Sequence, residues 1–196
     1  MNGYFGRVLR IDVTVGRHWE EPLEVEVLRA FVGGSGLATY LLYRFAPAGI
    51  DPLDPANPLI FASSPLVGTR VTTTAKLAVA AKSPQTGLIG DSLSSSHLAL
   101  ELKRLGCDAV VITGRAERPT LLVIQTDEPG IPSVTFLSAS QLWGKSTTLT
   151  ADEVRRGLGA QFRVAAIGPA GERLVRFATI ANDGRHAGRT GTGAVM

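Results

Sequence analysis

Apolar and polar positions alternate near the start of the chain and then gather into short apolar runs bounded by turn residues. Residues 7–13 alternate strictly enough to predict a strand, and residues 18–24 follow Gly16 at the right distance to pair back on it. Continuous apolar runs predict further buried strands at residues 59–62, 75–81, 109–113, 120–125, 164–167 and 175–180.

Helical patterns fall between these runs, at residues 26–31, 36–45, 97–105, 138–142 and 150–158. The third places Leu98, Leu102 and Leu105 on one face, and Thr150 followed by Glu153 resembles a capping box. Strands and helices do not alternate regularly. The pattern therefore predicts an α+β fold, with two mixed β-sheets packed as a layered base and flanking helices. The length allows one large domain or two small ones.

The composition is that of a folded, core-forming protein. Of 196 residues, 44% are hydrophobic and 19% are charged, and the formal charge is +3 without a lysine-rich run, which argues against a nucleic-acid binder. No leader pattern and no apolar run near membrane length is visible, so we expect a soluble, cytoplasmic protein without a membrane partner. The single cysteine, Cys107, heads an apolar run and is expected to be a buried structural thiol.

Candidate chemistry lies in glycine- and hydroxyl-rich segments. Residues 180–194 combine many glycines with Arg185, His186 and Arg189, which offer bare amides and guanidinium groups to an anionic cofactor. Three more such segments occur at residues 33–36, 63–76 and 91–97, and the second ends in the cation Lys76. The plain alternatives are a helix–helix turn, a solvated lysine at a strand end and an ordinary helix cap made by serines 94–96.

Two histidines lie in these segments. As acid/base groups His97 and His186 each need a carboxylate partner, and Asp91 or Asp183 could serve. The alternative is that both are structural or solvated. No cluster with metal-ligand spacing, no nucleophile elbow and no phosphate-binding P-loop is present in the sequence.

Short landmarks follow one another along the chain. They are residues 3–12 (GYFGRVLRID), 31–38 (FVGGSGLA), 51–53 (DPL) with Asn57, 64–69 (SPLVGT), 82–87 (KSPQTG), 101–103 (ELK), 106–109 (GCDA), 142–145 (LWGK), 167–172 (IGPAGE) and 188–196 (GRTGTGAVM). In this order they resemble the N-terminal domain of the tungsten-containing aldehyde ferredoxin oxidoreductase family, and the resemblance implies one such domain over residues 1–196.

The resemblance implies a base for a tungsten or molybdenum bis-molybdopterin cofactor whose phosphates share a magnesium ion. The implied metal contacts come from no side chain, and magnesium is expected on the backbone of Leu93 and His186. The implied cofactor-binding residues are Lys76, Leu93, Ser94, Ser95, Ser96, Arg185, His186, Ala187, Gly188 and Arg189.

The implied activity is oxidation of an aldehyde to a carboxylic acid, with electrons passed through a [4Fe-4S] cluster to ferredoxin. Catalytic residues stay unassigned. Because Cys107 alone cannot hold the cluster, the cluster is expected in further domains. This chain is therefore expected to be a portion of a longer enzyme and to be inactive alone. The resemblance also leads us to expect a homo-oligomer.

Two departures from the family pattern matter. Lys76 stands where an arginine is usual, so the bidentate fork is lost, and residues 93–96 (LSSS) stand where Asn-Ser-Gly-Gly is usual, so serine side chains are expected to narrow the approach. The alternative hypothesis is therefore a non-catalytic scaffold or assembly module of the same fold that has lost pterin binding.

Overall fold

Short β-strands account for most of the regular structure. The computed structural model describes residues 2–128 and 130–196. Its strands are β1 (Arg7–Asp12), β2 (Arg17–Pro22), β3 (Leu59–Ala62), β4 (Lys76–Lys82), β5 (Ile89–Ser95), β6 (Ala109–Thr113), β7 (Thr120–Glu128), β8 (Ile131–Ser138), β9 (Ala165–Ala166), β10 (Ile180–Asn182) and β11 (Arg185–Ala187). Its α-helices are α1 (Val25–Phe31), α2 (Gly34–Phe45), α3 (Leu98–Arg104), α4 (Thr147–Leu158) and α5 (Pro169–Glu172), and Thr192–Ala194 forms a 3₁₀ turn.

Six strands form one mixed sheet in the spatial order β2-β1-β6-β3-β4-β5. The pair β1–β6 is parallel and the other neighbours in this sheet are antiparallel. Two small antiparallel sheets accompany it, one made of β11-β10-β9 and one made of the hairpin β7-β8. Strand β5 is an edge of the large sheet, and alternate residues along it are exposed to solvent.

The large sheet is covered on both faces because its central strands are apolar at every position. Val8, Ile60 and Val111 pack on one face against α1 and α2, whereas the alternate residues of the same strands face the opposite layer. That layer contains α3, the β7–β8 hairpin and the β10–β11 hairpin. A smaller cluster of Val154, Val164 and Ala166 lies beneath α4.

The α+β class predicted from the sequence is confirmed. The predicted strands at residues 7–13, 18–24, 59–62, 75–81, 109–113 and 120–125 and the helices at 26–31, 36–45 and 97–105 all exist, with bounds that shift by a few residues. A buried Cys107 is also confirmed, since the side chain has no solvent exposure. Desolvation, aided by the neighbouring Asp108, raises the pKa of this thiol to about 12.

Four local predictions are wrong. Residues 138–142 form the end of β8 and a turn, because Ser138 and Ser140 bond to each other instead of starting a helix. The predicted helix at residues 150–158 exists as α4, but it begins three residues earlier and the expected cap at Thr150 is wrong: the cap is Ser146, whose hydroxyl accepts the amide of Leu149 at 3.3 Å. Only the end of the apolar run 175–180 is extended, since the strand starts at residue 180.

The fourth wrong prediction concerns residues 91–97, expected as a loop before a helix. Residues 89–95 are instead the edge strand β5, and Ser96 alone of the three serines 94–96 accepts an amide of α3, that of Leu98 at 3.0 Å. Within residues 2–128 and 130–196, no helix combines the length and apolar character needed to cross a membrane.

Candidate functional site

Strand β5 presents two chemically different faces. Its residues alternate between exposed and buried along the whole strand, which is the pattern of a strand with one open and one covered face. Ser92 and Ser94 are each 2% exposed and point toward the β10–β11 layer, whereas Leu93 is 56% exposed on the open face. We call residues 92–96 the serine segment. The sequence predicted that serine side chains in residues 93–96 narrow the approach of a cofactor to this segment. The prediction is wrong for Ser94 and Ser96, which are buried and point inward.

Ser95 is the serine of this segment that faces solvent, and it meets Lys76. The two residues are paired in register across β4 and β5, and the Lys76 ammonium donates a hydrogen bond to the Ser95 hydroxyl. Lys76 is exposed and has no carboxylate partner among the described residues. An ammonium held by one hydroxyl keeps further N–H donors for an anion.

The hairpin of β10 and β11 carries the second group of predicted residues. Asp183 and Gly184 form its two-residue turn with φ values of 46° and 71°, the positive angles that such tight hairpins require. Arg185 and His186 follow on β11 and are exposed, whereas Ala187 is fully buried. Gly188 and Arg189 are exposed again. We call residues 185–189 the arginine segment.

Direct hydrogen bonds join the serine segment to this hairpin. The Ser92 hydroxyl accepts the Arg189 amide at 3.1 Å, and the Ser94 hydroxyl donates to the Asn182 side-chain oxygen at 2.9 Å. Leu98 lies two residues after the serine segment, and its amide donates a hydrogen bond to the Asp183 carboxylate at 3.2 Å. Strand β5 therefore contacts both predicted groups: its buried serines bond to the hairpin, and Ser95 on its exposed face contacts Lys76.

The structure does not support the two predicted histidine–carboxylate pairs. His186 places Nδ1 3.0 Å from the Thr179 hydroxyl, while Asp183 is directed to α3 and α4. Asp91 accepts the hydroxyl of Ser35 from the first turn of α2 at 2.9 Å. The reason is topological, since strand β5 separates Asp91 from His97 by a regular extended segment instead of a folded loop.

Three residues of this region were not predicted from the sequence as site residues: Ser92, Asn182 and Asp183 acting as a structural carboxylate. Asn182 is 2% exposed, and its side-chain nitrogen has no hydrogen-bond partner within the described part of the chain. The Asp-Gly dipeptide at residues 183–184 was the usable signal, because it is typical of a tight hairpin and predicts that the flanking residues pair.

The electrostatic character of the surface is positive. Lys76, Arg185 and Arg189 are exposed, and none of them is ion-paired within the described residues, whereas the one acidic side chain on the open face of β5, Asp91, is bonded to a hydroxyl. Among residues 2–128 and 130–196, no group of three or more His, Cys, Asp or Glu side chains is arranged to hold a metal ion. The donor set fits a phosphate-bearing ligand, which guanidinium and ammonium groups bind through charge-assisted hydrogen bonds.

Comparison with known proteins gives consistent matches over the whole chain. A family model described as the N-terminal domain of aldehyde ferredoxin oxidoreductase matches residues 8–196. The chain is 40% identical to the tungsten-containing aldehyde ferredoxin oxidoreductase of Pyrococcus furiosus and 41% identical to that of Thermococcus kodakarensis, in each case over 100% of this chain and 32% of the relative.

More distant matches differ in what they act on. The aliphatic sulfonate oxidoreductase, WOR-like subunit, of Pyrococcus furiosus is 34% identical over 100% of this chain and 33% of its own length. Among solved structures, the active site complex BamBC of benzoyl coenzyme A reductase with 1,5 dienoyl-CoA matches with a TM-score of 0.93 and 34% identity, over 100% of this chain and 29% of that chain. The chain spans about a third of the length of the curated relatives it matches.

Proposed function

The chain belongs to the aldehyde ferredoxin oxidoreductase family, and on that premise we propose that its cationic surface binds the phosphates of a tungsten or molybdenum bis-molybdopterin cofactor. The observation that carries the proposal is that three exposed cations without an ion pair among the described residues lie on segments that hydrogen-bond to strand β5. Lys76 comes from β4, Arg185 and Arg189 come from the arginine segment, and hydrogen bonds from Ser92 and Ser94 hold the segments together.

The geometry of β5 supports this use of the surface. The open face of the strand carries Leu93 and Ser95, and the buried serines leave the backbone beside them uncovered by side chains. Ser95 adds a hydroxyl next to the Lys76 ammonium, so that one charged donor and one neutral donor lie side by side. Two guanidinium groups and one ammonium group supply both the charge and the directional donors that phosphate oxygens require.

Magnesium is proposed to be shared between these phosphates and backbone carbonyls of Leu93 and His186. Oxygen ligands from phosphates and one or two protein groups are the usual environment of this ion. Leu93 lies between Ser92 and Ser94, and His186 lies between Arg185 and Ala187, so both residues belong to the segments that the hydrogen bonds hold together.

Within the whole enzyme, the bound cofactor supplies two-electron oxidation of an aldehyde to a carboxylic acid, with a [4Fe-4S] cluster and ferredoxin as electron acceptors. The part of this chain is binding and orientation. Lys76, Arg185 and Arg189 neutralise the phosphates, and the sheet beneath them fixes where the cofactor lies. An aldehyde is proposed as the substrate because the relatives at 40% and 41% identity carry that substrate in their names.

The experiment that tests the proposal is Lys76→Ala in the full-length polypeptide, purified anaerobically from cells supplied with tungstate and molybdate. Loss of one charge-assisted contact should weaken cofactor binding about tenfold or more, which mass spectrometry detects as lower tungsten or molybdenum per polypeptide. Arg118→Ala is the matched control, because it removes an exposed cation that has no ion pair in the described structure and lies on the loop before β7. Metal and pterin contents equal to wild type in the Lys76 variant would refute the assignment.

One observation favours the scaffold alternative. Leu93 puts an apolar side chain that is 56% exposed on the open face of β5, where it offers no hydrogen-bond donor to a phosphate. Under the scaffold hypothesis, wild-type protein is folded yet carries neither metal nor pterin. Stoichiometric metal with released pterin in the wild type excludes this alternative.

A further inference from the structure

Asp183 is an unusual turn residue because its carboxylate is almost completely covered. Residues at hairpin turns ordinarily face solvent, yet the Asp183 side chain is 9% exposed and its backbone has a positive φ of 46°. A covered carboxylate is costly unless several donors satisfy it. The contacts of this carboxylate therefore indicate what the turn is held against.

Its two oxygens contact different elements. Oδ2 accepts the amide of Leu98 at the first residue of α3, at 3.2 Å. Oδ1 accepts Nη2 of Arg155 from α4 at 3.2 Å and lies 3.9 Å from Nη1 of Arg163. One carboxylate thus ties the β10–β11 turn to two helices.

Both ends of this connection lie next to the proposed cofactor contacts. Leu98 follows the serine segment after His97, and Arg185 follows Asp183 after Gly184. The Ser94–Asn182 bond is formed by two uncharged groups, whereas the Asp183 contacts are charged and directed to two helices. Loss of the carboxylate leaves the Arg155 guanidinium without its 3.2 Å partner and leaves the Leu98 amide with the Ser96 hydroxyl, at 3.0 Å, as its remaining side-chain acceptor.

We propose that Asp183 is a positioning residue: its carboxylate fixes the β10–β11 turn against α3 and α4, so that the arginine segment faces the serine segment at the spacing the cofactor phosphates and magnesium need. The inference rests on the proposed cofactor binding and adds to it a residue that contacts no ligand. Residues that orient ligand-holding groups typically contribute about 10- to 100-fold to metal affinity.

The test compares Asp183→Ala and Asp183→Asn with wild type in the full-length polypeptide. Readouts are tungsten, molybdenum and magnesium per polypeptide, and hydrogen exchange of the Leu98 and Arg189 amides. Asp183→Ala should lower metal content about tenfold and speed exchange at both amides. The metal content of Asp183→Asn should lie between those of wild type and Asp183→Ala, because its amide oxygen still accepts the Leu98 amide while the negative charge next to Arg155 is lost.

Two controls separate positioning from general stability. Asp152→Ala removes the other carboxylate near Arg155, which is 53% exposed and 3.9 Å away, and should leave metal content at the wild-type level. Val154→Ala removes core packing under α4 from a residue that is 7% exposed, and lowers stability without touching the turn.

The outcomes are distinguishable. Wild type without metal and pterin overturns the proposed function and, with it, this inference. Wild type with cofactor and Asp183→Ala with equal content overturns the positioning role alone. Equal metal loss in Val154→Ala and Asp183→Ala also overturns it, because stability would then explain the loss. Metal loss confined to the Asp183 variants, with faster exchange at Leu98, supports the inference.

Discussion

Replacement of Asp108 by alanine should detach the N-terminal segment from the large sheet. The Asp108 side chain is 3% exposed and accepts the amide of Gly6 at 2.7 Å and that of Phe5 at 3.1 Å. Lys103 lies 3.5 Å from the same carboxylate. These contacts hold the residues before β1 against the residue that precedes β6, and therefore support the parallel β1–β6 pair.

The magnitude follows from the donors that lose their acceptor. An amide left without its acceptor in a covered position costs about 1–3 kcal/mol, and the partial exposure of this segment favours the lower end for each of two amides. The lost attraction to Lys103 adds to this, so Asp108→Ala should lower the free energy of unfolding by about 3 kcal/mol. Asp108→Asn, which keeps one acceptor oxygen, should cost about half as much.

Thermal and urea unfolding of the purified protein measure these changes. For a domain of this size, about 3 kcal/mol corresponds to a midpoint lower by roughly 6–12 °C. Asp152→Ala is the control, since its exposed carboxylate lies 3.9 Å from Arg155 and its loss should change stability by less than about 0.5 kcal/mol. A loss below about 1 kcal/mol for Asp108→Ala would show that water replaces the carboxylate and that the contacts contribute little.

Two further changes test the thiol and the backbone. Because burial raises the pKa of Cys107 to about 12, thiol reagents at pH 8 should not label the native protein and should label it fully in denaturant; rapid native labelling would contradict the burial. The raised pKa also means that stability present below the ordinary thiol pKa of 9.0 is lost as pH rises toward 12. Gly191→Ala should lower the unfolding free energy by more than about 2 kcal/mol in urea titrations, since φ is 74° and its Cβ would lie 1.9 Å from a backbone carbonyl oxygen. Gly16→Ala has a similar φ of 63° with nothing within 4 Å and should cost only about 1 kcal/mol, so equal losses would refute the steric argument.

The strands that the sequence predicts well are those whose side chains are apolar on both faces. Residues 59–62 and 109–113 are continuous apolar runs, and both are central strands covered by helices on one side and by a second layer on the other. For such strands, burial alone determines the pattern, so a single sequence is sufficient to locate them.

Strand β5 was not predicted because its residues alternate between exposed and buried, but not between polar and apolar. Gly90, Ser92 and Ser94 are the buried positions, and they are small or polar because the β10–β11 hairpin and Arg189 lie directly on them. A rule that equates buried positions with apolar residues cannot locate such a strand. The same contacts decide which serines face the site, so this part of the site also required the tertiary structure.

The side-chain partners in the candidate site could not be predicted from the sequence. The motifs named Lys76 and Arg185 as cofactor-binding residues, which stays a prediction, and the structure shows that the segments carrying them both contact strand β5. The pairing of His186 with Asp183 failed because proximity in sequence says nothing about the direction of a side chain after a tight turn. The Asp183 side chain points inward to α3 and α4, and the His186 ring contacts the Thr179 hydroxyl instead.

The parallel pair at the centre of the large sheet has a consequence for the order of folding. Val8 is paired with Ala109, so β1 stays without its inner neighbour until residues about a hundred positions later have left the ribosome. The β1–β2 hairpin offers little by itself, since most of β2 is exposed. Sheets closed by such distant pairings fold on the order of milliseconds to seconds, and their apolar strands stay vulnerable to aggregation meanwhile. During synthesis, β1 and β3 therefore stay accessible to chaperones until β6 has been made and can pair with both of them.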